Sequence, residues 1–416
     1  MRAFRHLSRV AVVLALAWAA ACTSIPPSSN GGPPPRTHAP AAAAAASAAA
    51  KATPAALRVA SSGDYAPFSS IDSQGVRSGL DIEVAERFAH DVGLPLDWVP
   101  LTWANIDAAT VRDGFDVAMS GVTLRPDRAL IGRYTRPMAT TGAVAVVRAA
   151  DAGRFATPDA LDRPDVRLAV NSGGHLERVT RARFPHAVIL PQSRNAAVPL
   201  TLRDGRADAA ISDTAEAHMW LNADLVELPP FTVDHKGYLL PIEQAGLATQ
   251  LDAWLRAREA DGWLNAARVR WLGQEASMDA ASAARQAVAA LIRLRLDLMP
   301  AVVAAKRSAN LPIEDRAQEA RVLERVRGQV PADPGRAAAV YSVLIEMAKA
   351  VQRDALPLAT APPLDSVRVA IGRIDETLCA ELQSLPASPQ AAWQSALSRT
   401  LGESPDVAAL SRALAY

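Results

Sequence analysis

The chain has 416 residues, which is long enough for two or three domains. Its 44 basic and 43 acidic residues nearly balance, so neither a nucleic-acid-binding surface nor a polybasic membrane-binding segment is indicated. The two cysteines, Cys22 and Cys379, lie in regions of different composition, so a disulfide framework is not expected. No Cys/His cluster has metal-ligand spacing, and neither a P-loop nor a GxSxG motif occurs, so we expect no metal site.

The first residues have the pattern of an export signal. Arg2, Arg5 and Arg9 precede the apolar run VAVVLALAW, which is too short to span a membrane, and small residues follow it. Cys22, directly after these small residues, resembles the lipobox of bacterial lipoproteins, in which the mature chain begins at a lipidated cysteine. We expect a signal peptide over residues 1–22 and a periplasmic protein attached to the membrane only through a lipid on Cys22. Ordinary cleavage without lipidation is the alternative.

Residues 23–55 are rich in proline, alanine, serine and glycine. A segment of this composition cannot bury enough apolar surface to fold. We predict a flexible tether here.

From Leu57 onward, short apolar or β-branched runs alternate with helical patterns. LRVASS is followed by DIEVAERFAHDVG, and later runs include GAVAVVRA, VRLAVN, HAVILP and DAAISD. Strands separated by helices in this way predict an α/β fold with mostly parallel sheets. A break near Ala143 and a return near His235 predict two lobes with a cleft between them.

A series of motifs in this part of the chain carries a family resemblance. In order they are GDYAPFS, GLDIEVAERFA, TWANI, FDVAMSGVTLRPDR, NSGG, DTAEA and KGYLLP, between Gly63 and Pro241. Their order resembles the periplasmic type II solute-binding fold used for amino acids, and within it the cyclohexadienyl (prephenate and arogenate) dehydratases. The resemblance implies a two-lobed domain over residues 56–275.

The resemblance also implies a site for the substrate carboxylates. Arg128 would clamp one carboxylate, which suits the two parallel hydrogen bonds of a guanidinium fork. Ser120 and Thr123 would add donors, and Gly173 and Gly174 would present backbone N–H groups where a helix starts.

Of the other motif residues, some match the dehydratase enzymes and one matches the transport proteins. By the resemblance, Glu216 is the candidate general acid that protonates the leaving ring hydroxyl, and Lys236 also fits the dehydratase pattern. Asp213 fits the aspartate with which transport proteins bind an amino group. The chain also departs from the dehydratase pattern at three positions, namely Ala143, His175 and Leu176.

Farther along, apolar residues recur every three to four positions from Leu291 to Leu323, which predicts helix. Arg295 and Lys306 are eleven residues apart, so on one helix they share a face, about 16 Å apart along the axis. The segment VVAAKRSANLPIED resembles the exported, gamma-type chorismate mutases, an all-helical family. This resemblance implies an all-α domain over residues 284–416, interrupted by a proline-rich break at 357–366.

The chorismate mutase reaction is a concerted rearrangement of a dicarboxylate that needs no nucleophile, so we expect no cofactor. By the resemblance, Arg295 and Lys306 bind the substrate carboxylates and Gln352 donates to the ether oxygen. Arg368 matches an arginine that the gamma type supplies from its own chain, with Arg373 as the alternative.

One position in the helical part departs from that pattern. Gln318 stands where the family has a substrate-binding arginine, although the neighbouring Glu319 is kept. We expect neither Arg316 nor Arg321 to share the helical face of Gln318. The mutase could therefore be weakened.

Together the two resemblances describe consecutive steps of phenylalanine biosynthesis. They imply an exported bifunctional enzyme that takes small-molecule substrates, with the helical domain forming a homodimer. Chorismate would give prephenate, and prephenate, with arogenate as an open alternative, would undergo decarboxylating dehydration. One rival interpretation is an amino-acid-binding lipoprotein fused to an inactive mutase. The other is an active mutase whose α/β domain acts only as a sensor of prephenate or an amino acid.

Overall fold

The computed structural model describes residues 56–415. The expected signal peptide, Cys22 and the expected tether lie outside these residues. The strands are β1 (Leu57–Ser61), β2 (Asp64–Tyr65), β3 (Ser69–Ile71), β4 (Arg77–Ser78), β5 (Leu96–Pro100), β6 (Val117–Ala118), β7 (Gly132–Tyr134), β8 (Ala139–Thr141), β9 (Ala143–Arg148), β10 (Arg167–Asn171), β11 (Val188–Gln192), β12 (Ala209–Asp213), β13 (Leu225–Glu227), β14 (Asp234–Lys236) and β15 (Leu239–Pro241). The helices are α1 (Leu80–Val92), α2 (Ile106–Val111), α3 (Pro126–Ile131), α4 (His175–Arg183), α5 (Ala197–Arg203), α6 (Thr214–Trp220), α7 (Ala245–Ala260), α8 (Trp263–Leu272), α9 (Ala280–Asp297), α10 (Met299–Ser308), α11 (Arg316–Gln329), α12 (Pro334–Asp354), α13 (Leu364–Ser384), α14 (Gln390–Leu401) and α15 (Pro405–Leu414).

The first lobe is built on a five-stranded sheet in the order β5-β1-β6-β15-β7. β1 pairs in parallel with β5 and β6, whereas β15 returns from the far end of the α/β domain and runs antiparallel to β6 and β7. Helix α1 covers one face because its apolar side chains recur at helical spacing and bury Leu80, Val84 and Phe88.

The second lobe has its own five-stranded sheet, in the order β11-β10-β12-β9-β13. β10 pairs in parallel with β11 and β12, and β9 runs antiparallel to β12 and β13. The segment AVAVVR forms β9 and is buried along nearly its whole length, as expected for a central strand covered on both faces.

The two lobes are joined by an antiparallel ribbon of β8 and β14. The predicted break near Ala143 and the return near His235 both fall at this ribbon. The predicted α/β fold of two lobes is therefore confirmed, and each five-stranded sheet combines parallel with antiparallel strand pairs.

Helices α9 to α15 form the predicted all-α part, packed around buried side chains that include Tyr341, Leu344 and Trp393. The segment that carries Arg295 and Lys306 is not one continuous helix, because α9 ends at Asp297 and α10 begins at Met299. Pro300 occupies the first turn of α10, where its missing N–H is tolerated, and would break a continuous helix. No helix within residues 56–415 is both long enough and apolar enough to cross a membrane.

The helical part is attached to the first lobe through a shared core and buried charges. Helix α13 packs on α3 and β7, and its Glu381 lies 3.3 Å from Arg136 Nε and 3.2 Å from Arg256 Nη1. Arg373 donates to the carbonyl of Ala129, at 2.8 Å. Arg373, the alternative to Arg368, therefore serves the contact between the two parts of the chain.

Candidate functional site

A first cavity lies between the two lobes, near the carboxyl ends of β6 and β10, which is where ligands bind in open α/β sheets. Its volume, including the open mouth, is about 390 Å³. Its walls are formed by Tyr65, Trp103, Gly121, Thr123, Arg128, Asn171, Gly174, His175, Leu176, Asn195 and Lys236.

Arg128 has the geometry of a carboxylate clamp. Its side chain is buried on α3, and Nε donates to Asp107 Oδ1 at 2.7 Å. The two terminal nitrogens, Nη1 and Nη2, are buried and have no hydrogen-bond partner in the described residues. Leaving such donors unpaired costs about 1–3 kcal/mol or more, and a substrate carboxylate would satisfy both.

Neither Ser120 nor Gly173 is part of the first cavity's wall. The buried Ser120 Oγ accepts from the backbone N–H of Ser62 at 3.1 Å, and Ser120 is not part of the cavity wall. Gly173 donates its N–H to Glu177 Oε2 at 2.7 Å, so this group is not free for a ligand. Gly173 instead adopts φ +77°, where an added Cβ would meet Ala104 at 3.0 Å. Gly174, at the start of α4, does line the cavity together with Thr123.

Asp213 and Lys236 form a buried ion pair, with 2.9 Å between Oδ2 and Nζ. Lys236 Nζ also donates to Thr123 Oγ1 at 2.9 Å, and Asp213 caps α6 by accepting from the N–H of Ala215 at 3.0 Å. Lys236 faces the cavity, whereas Asp213 lies behind it. The Asp213 carboxylate is therefore already neutralised and does not offer a free charge to an amino group.

Glu216 is a buried carboxyl in the first turn of α6. Burial raises its pKa to about 8, so the group carries a proton at neutral pH. It hydrogen-bonds to Ser212 Oγ and to the amide of Asn195, and Asn195 in turn lines the cavity. Glu216 thus lies one hydrogen bond behind the cavity wall. We missed Asn195 in the sequence, where its only signal was a polar side chain soon after β11.

The three departures from the dehydratase pattern have different surroundings. His175 lines the cavity with Nε2 3.0 Å from Asp234 Oδ1, and Leu176 lines it as an apolar wall. Ala143 is buried on β9 outside the cavity, and its N–H donates to Thr232 Oγ1 at 2.7 Å. Only His175 can therefore add a polar contact to a ligand.

A second cavity lies among α9 to α13 and has a volume of about 710 Å³ including its mouth. It brings together six residues that the sequence assigned to the mutase site: Arg295, Lys306, Gln318, Glu319, Gln352 and Arg368. Arg295 and Lys306 reach it from α9 and α10 despite the break between these helices. The rest of the wall is formed by Met299, Val302, Ile313, Asp315, Val322, Arg325, Ile345, Ala348, Lys349 and Ile371.

The predicted cations of this cavity are held in place by the protein. Arg295 Nε donates to Asp375 Oδ1 at 3.0 Å, while its buried Nη1 has no partner within residues 56–415. Lys306 donates to the carbonyl of Ile313, and burial lowers the pKa of Lys306. Arg368 lies 3.6 Å from Asp315 at the mouth.

Gln352 reaches the cavity with its amide in an unexpected orientation. Its Nε2 donates to the carbonyl of Ala348 at 3.2 Å, while its buried Oε1 has no partner in the part of the chain that the structure describes. The predicted role as a donor to the substrate requires the amide to turn over, which exchanges atoms of nearly equal size.

Contrary to our expectation, Arg321 lies next to Gln318 on one face of α11. Arg321 donates to Gln318 Oε1 from Nε at 3.1 Å and from Nη2 at 2.8 Å, so the two do share a helical face, as residues three apart do. Arg321 is not part of the cavity wall, whereas Arg325 and Lys349, which the motifs did not single out, are. Their signal was the helical repeat, since Arg325 follows Gln318 by seven residues and Lys349 precedes Gln352 by three.

Comparisons with known proteins divide the chain in the same way. Residues 57–274 match the bacterial extracellular solute-binding proteins, family 3, and residues 285–353 match chorismate mutase type II. The chain is 34% identical over 221 residues to the cyclohexadienyl dehydratase of Pseudomonas aeruginosa, covering 52% of this chain and 82% of that protein. It is 24% identical over 228 residues to an L-cystine-binding protein of Escherichia coli, covering 53% of this chain and 83% of that protein.

Solved structures resemble the same half of the chain. An ancestral amino acid-binding protein, described as a precursor of cyclohexadienyl dehydratase, matches with a TM-score of 0.50 and 29% identity. The match covers 52% of this chain and 95% of that one. A lysine-bound component of an ABC transporter from Wolinella succinogenes also has a TM-score of 0.50, but at 24% identity and the same coverage it shows the fold alone.

Proposed function

Because the chain belongs to family 3 of the bacterial extracellular solute-binding proteins and carries a type II chorismate mutase domain, we propose that it is a bifunctional enzyme. The helical cavity converts chorismate to prephenate, and the cavity between the lobes converts prephenate to phenylpyruvate. The resemblance of the α/β domain to cyclohexadienyl dehydratase supports the second step.

The ion pair of Asp213 with Lys236 favours an enzyme over a transport protein. A site for an amino acid needs an anion for the ammonium group, and the pair with Lys236 occupies this carboxylate. The cavity instead presents Arg128, whose two terminal nitrogens have no partner among the described residues, and the protonated Glu216 lies directly behind its wall. This combination of a carboxylate clamp with an acid suits prephenate better than a zwitterion.

In the proposed dehydration, Arg128 holds a carboxylate of prephenate and Glu216 supplies the proton. The bond from the ring to its carboxylate breaks and releases carbon dioxide, and the electron pair enters the ring as it becomes aromatic. The ring hydroxyl leaves with the Glu216 proton as water, and solvent then returns the proton to Glu216. Because Asn195 stands between Glu216 and the cavity, the proposal requires this side chain to shift when substrate binds.

In the proposed rearrangement, the helical cavity acts through charge and shape alone. Five cationic side chains line it, against the two carboxylates of Asp315 and Glu319, so it favours a dianion such as chorismate. Arg295 and Lys306 hold the carboxylates, and Gln352 in its turned orientation donates to the ether oxygen, where negative charge develops.

Export and assembly belong to the same proposal. The family is described as extracellular, which supports an exported protein. We infer that Cys22 carries a lipid anchor and that the helical domain forms a homodimer. Mass measurement of the protein isolated from membranes tests the first inference, and light scattering tests the second.

The experiment that separates the enzyme from a transport protein compares ligands. Purified protein receives either prephenate, with phenylpyruvate as the readout, or lysine, arginine and cystine, with calorimetric heat as the readout. We expect turnover of prephenate and no saturable binding of the amino acids. Tight binding of an amino acid without turnover would establish the binding-protein interpretation.

A further inference from the structure

Arg325, which no motif in the sequence singled out, lies on α11 and lines the helical cavity. Its Nη2 donates to Asp375 Oδ2 at 2.6 Å. The other oxygen of Asp375, Oδ1, accepts from Arg295 Nε and from the Tyr341 hydroxyl, both at 3.0 Å. Asp375 is completely buried, so this carboxylate ties Arg295 and Arg325 together behind the cavity wall.

The shared carboxylate leaves an excess of positive charge. Two guanidinium groups face one aspartate, so the group of three has a net charge of +1. Arg295 Nη1 is buried without a partner, and in residues 56–415 Asp375 is the sole hydrogen-bonding partner of Arg325, whose side chain is 40% exposed. Both arginines therefore have donors left for an anion that enters the cavity.

Within residues 316–321, the start of α11, no cationic side chain lines the cavity. Gln318 is neutral, and its amide oxygen is occupied by Arg321, which does not line the cavity. Arg325 lies seven residues after Gln318, which is about two turns, or roughly 10 Å, along the same helical face. Arg325 thus brings a positive charge to the cavity from the same helix as Gln318, but about two turns farther along it.

We propose that Arg325 binds one carboxylate of the dicarboxylate substrate of the mutase, and that Asp375 positions Arg325 and Arg295 for this contact. The proposal rests on the proposed mutase function. It implies that Gln318 does not leave the cavity short of a carboxylate-binding arginine, because Arg325 supplies that group.

The test compares three variants of the full protein with chorismate as substrate. Arg325→Gln removes the charge, and Arg325→Lys keeps the charge but loses the planar fork. Arg327→Gln is the matched control, because Arg327 lies on the same helix, is 47% exposed, and within residues 56–415 pairs only with Glu324 at the surface. Melting temperature and the turnover of supplied prephenate report on folding in each variant.

For Arg325→Gln we expect a fall in kcat/KM of at least about tenfold, expressed mainly as a higher KM, with melting temperature and prephenate turnover unchanged. Arg325→Lys should recover part of this loss, and Arg327→Gln should behave as the unmodified protein. In the unmodified protein KM should also rise with salt more steeply than in Arg325→Gln, because one charged contact is missing there.

Two results would overturn the inference, and they can be told apart. If the unmodified protein turns over chorismate but Arg325→Gln matches Arg327→Gln, Arg325 does not bind substrate and the mutase function stands. If the unmodified protein does not turn over chorismate at all, the proposed function fails and this inference fails with it.

Discussion

Replacing Glu216 by glutamine should separate catalysis from stability. The variant keeps the shape of the side chain but cannot supply a proton. General acids contribute about 10²- to 10⁴-fold to rates, so we expect prephenate turnover to fall by at least about 100-fold. The mutase rate should not change, because its cavity lies among α9 to α13.

The pH dependence follows from the pKa of Glu216, which burial raises from 4.5 to about 8. The proton donor is present in the free enzyme below this value, so dehydratase kcat/KM should be level near pH 6–7. It should fall about tenfold per pH unit above 8. The mutase, assayed in the same buffers, corrects for any general loss of activity at high pH.

The same pKa fixes the sign of the stability change. Between pH 4.5 and 8 the folded chain binds the Glu216 proton and the unfolded chain does not, so stability falls as pH rises through this window. At pH 7 the Glu216 proton lowers the free energy of unfolding by about 3 kcal/mol at most, relative to its value below pH 4.5. Glu216→Gln lacks this penalty and should be at least as stable as the unmodified protein in urea unfolding at pH 7.

Three results would refute this reasoning. One is a dehydratase rate that is level from pH 6 to 9. Another is a loss of less than threefold in a folded Glu216→Gln variant. The third is a loss of the same size in Glu86→Gln, the matched control, which removes an exposed glutamate on α1, in the other lobe of the same α/β domain.

Three further substitutions test other parts of the structure. Arg128→Lys keeps the charge but loses the fork, so KM for prephenate should rise about 10- to 100-fold while chorismate turnover is unchanged; an unchanged KM would remove Arg128 from the site. Lys236→Met leaves the buried Asp213 unpaired, so the free energy of unfolding should fall by about 3–5 kcal/mol in urea titration, and a fall below 1 kcal/mol would argue against the buried pair. Glu381→Gln leaves Arg136 buried without its anion, so the free energy of unfolding should fall by a similar amount. Two separate unfolding steps would show that the helical part no longer unfolds together with the first lobe.

The fold could be read from the sequence because its signals are local. Runs such as AVAVVR are apolar enough to specify a buried strand by themselves, and the ribbon that joins the lobes falls where the run pattern changed. The break between α9 and α10 was also visible in principle, since Pro300 stands in the middle of the predicted helix.

The site was less predictable, because its polar groups depend on neighbours distant in sequence. Ser120 is occupied by Ser62, and Asp213 by Lys236, and no spacing rule reveals these pairings. Arg325 was missed for a related reason, because the family motif places its arginine at one fixed position, where this chain has Gln318. A cavity can take its cation from any residue whose side chain reaches it, and residues seven apart, about two turns, share one face of a helix.

The most direct test of the bifunctional assignment supplies purified protein with chorismate alone and measures phenylpyruvate. We expect phenylpyruvate to form, and we expect Glu216→Gln to accumulate prephenate in its place. If neither compound forms from chorismate, and supplied prephenate is also left unchanged, the chain is not the proposed enzyme.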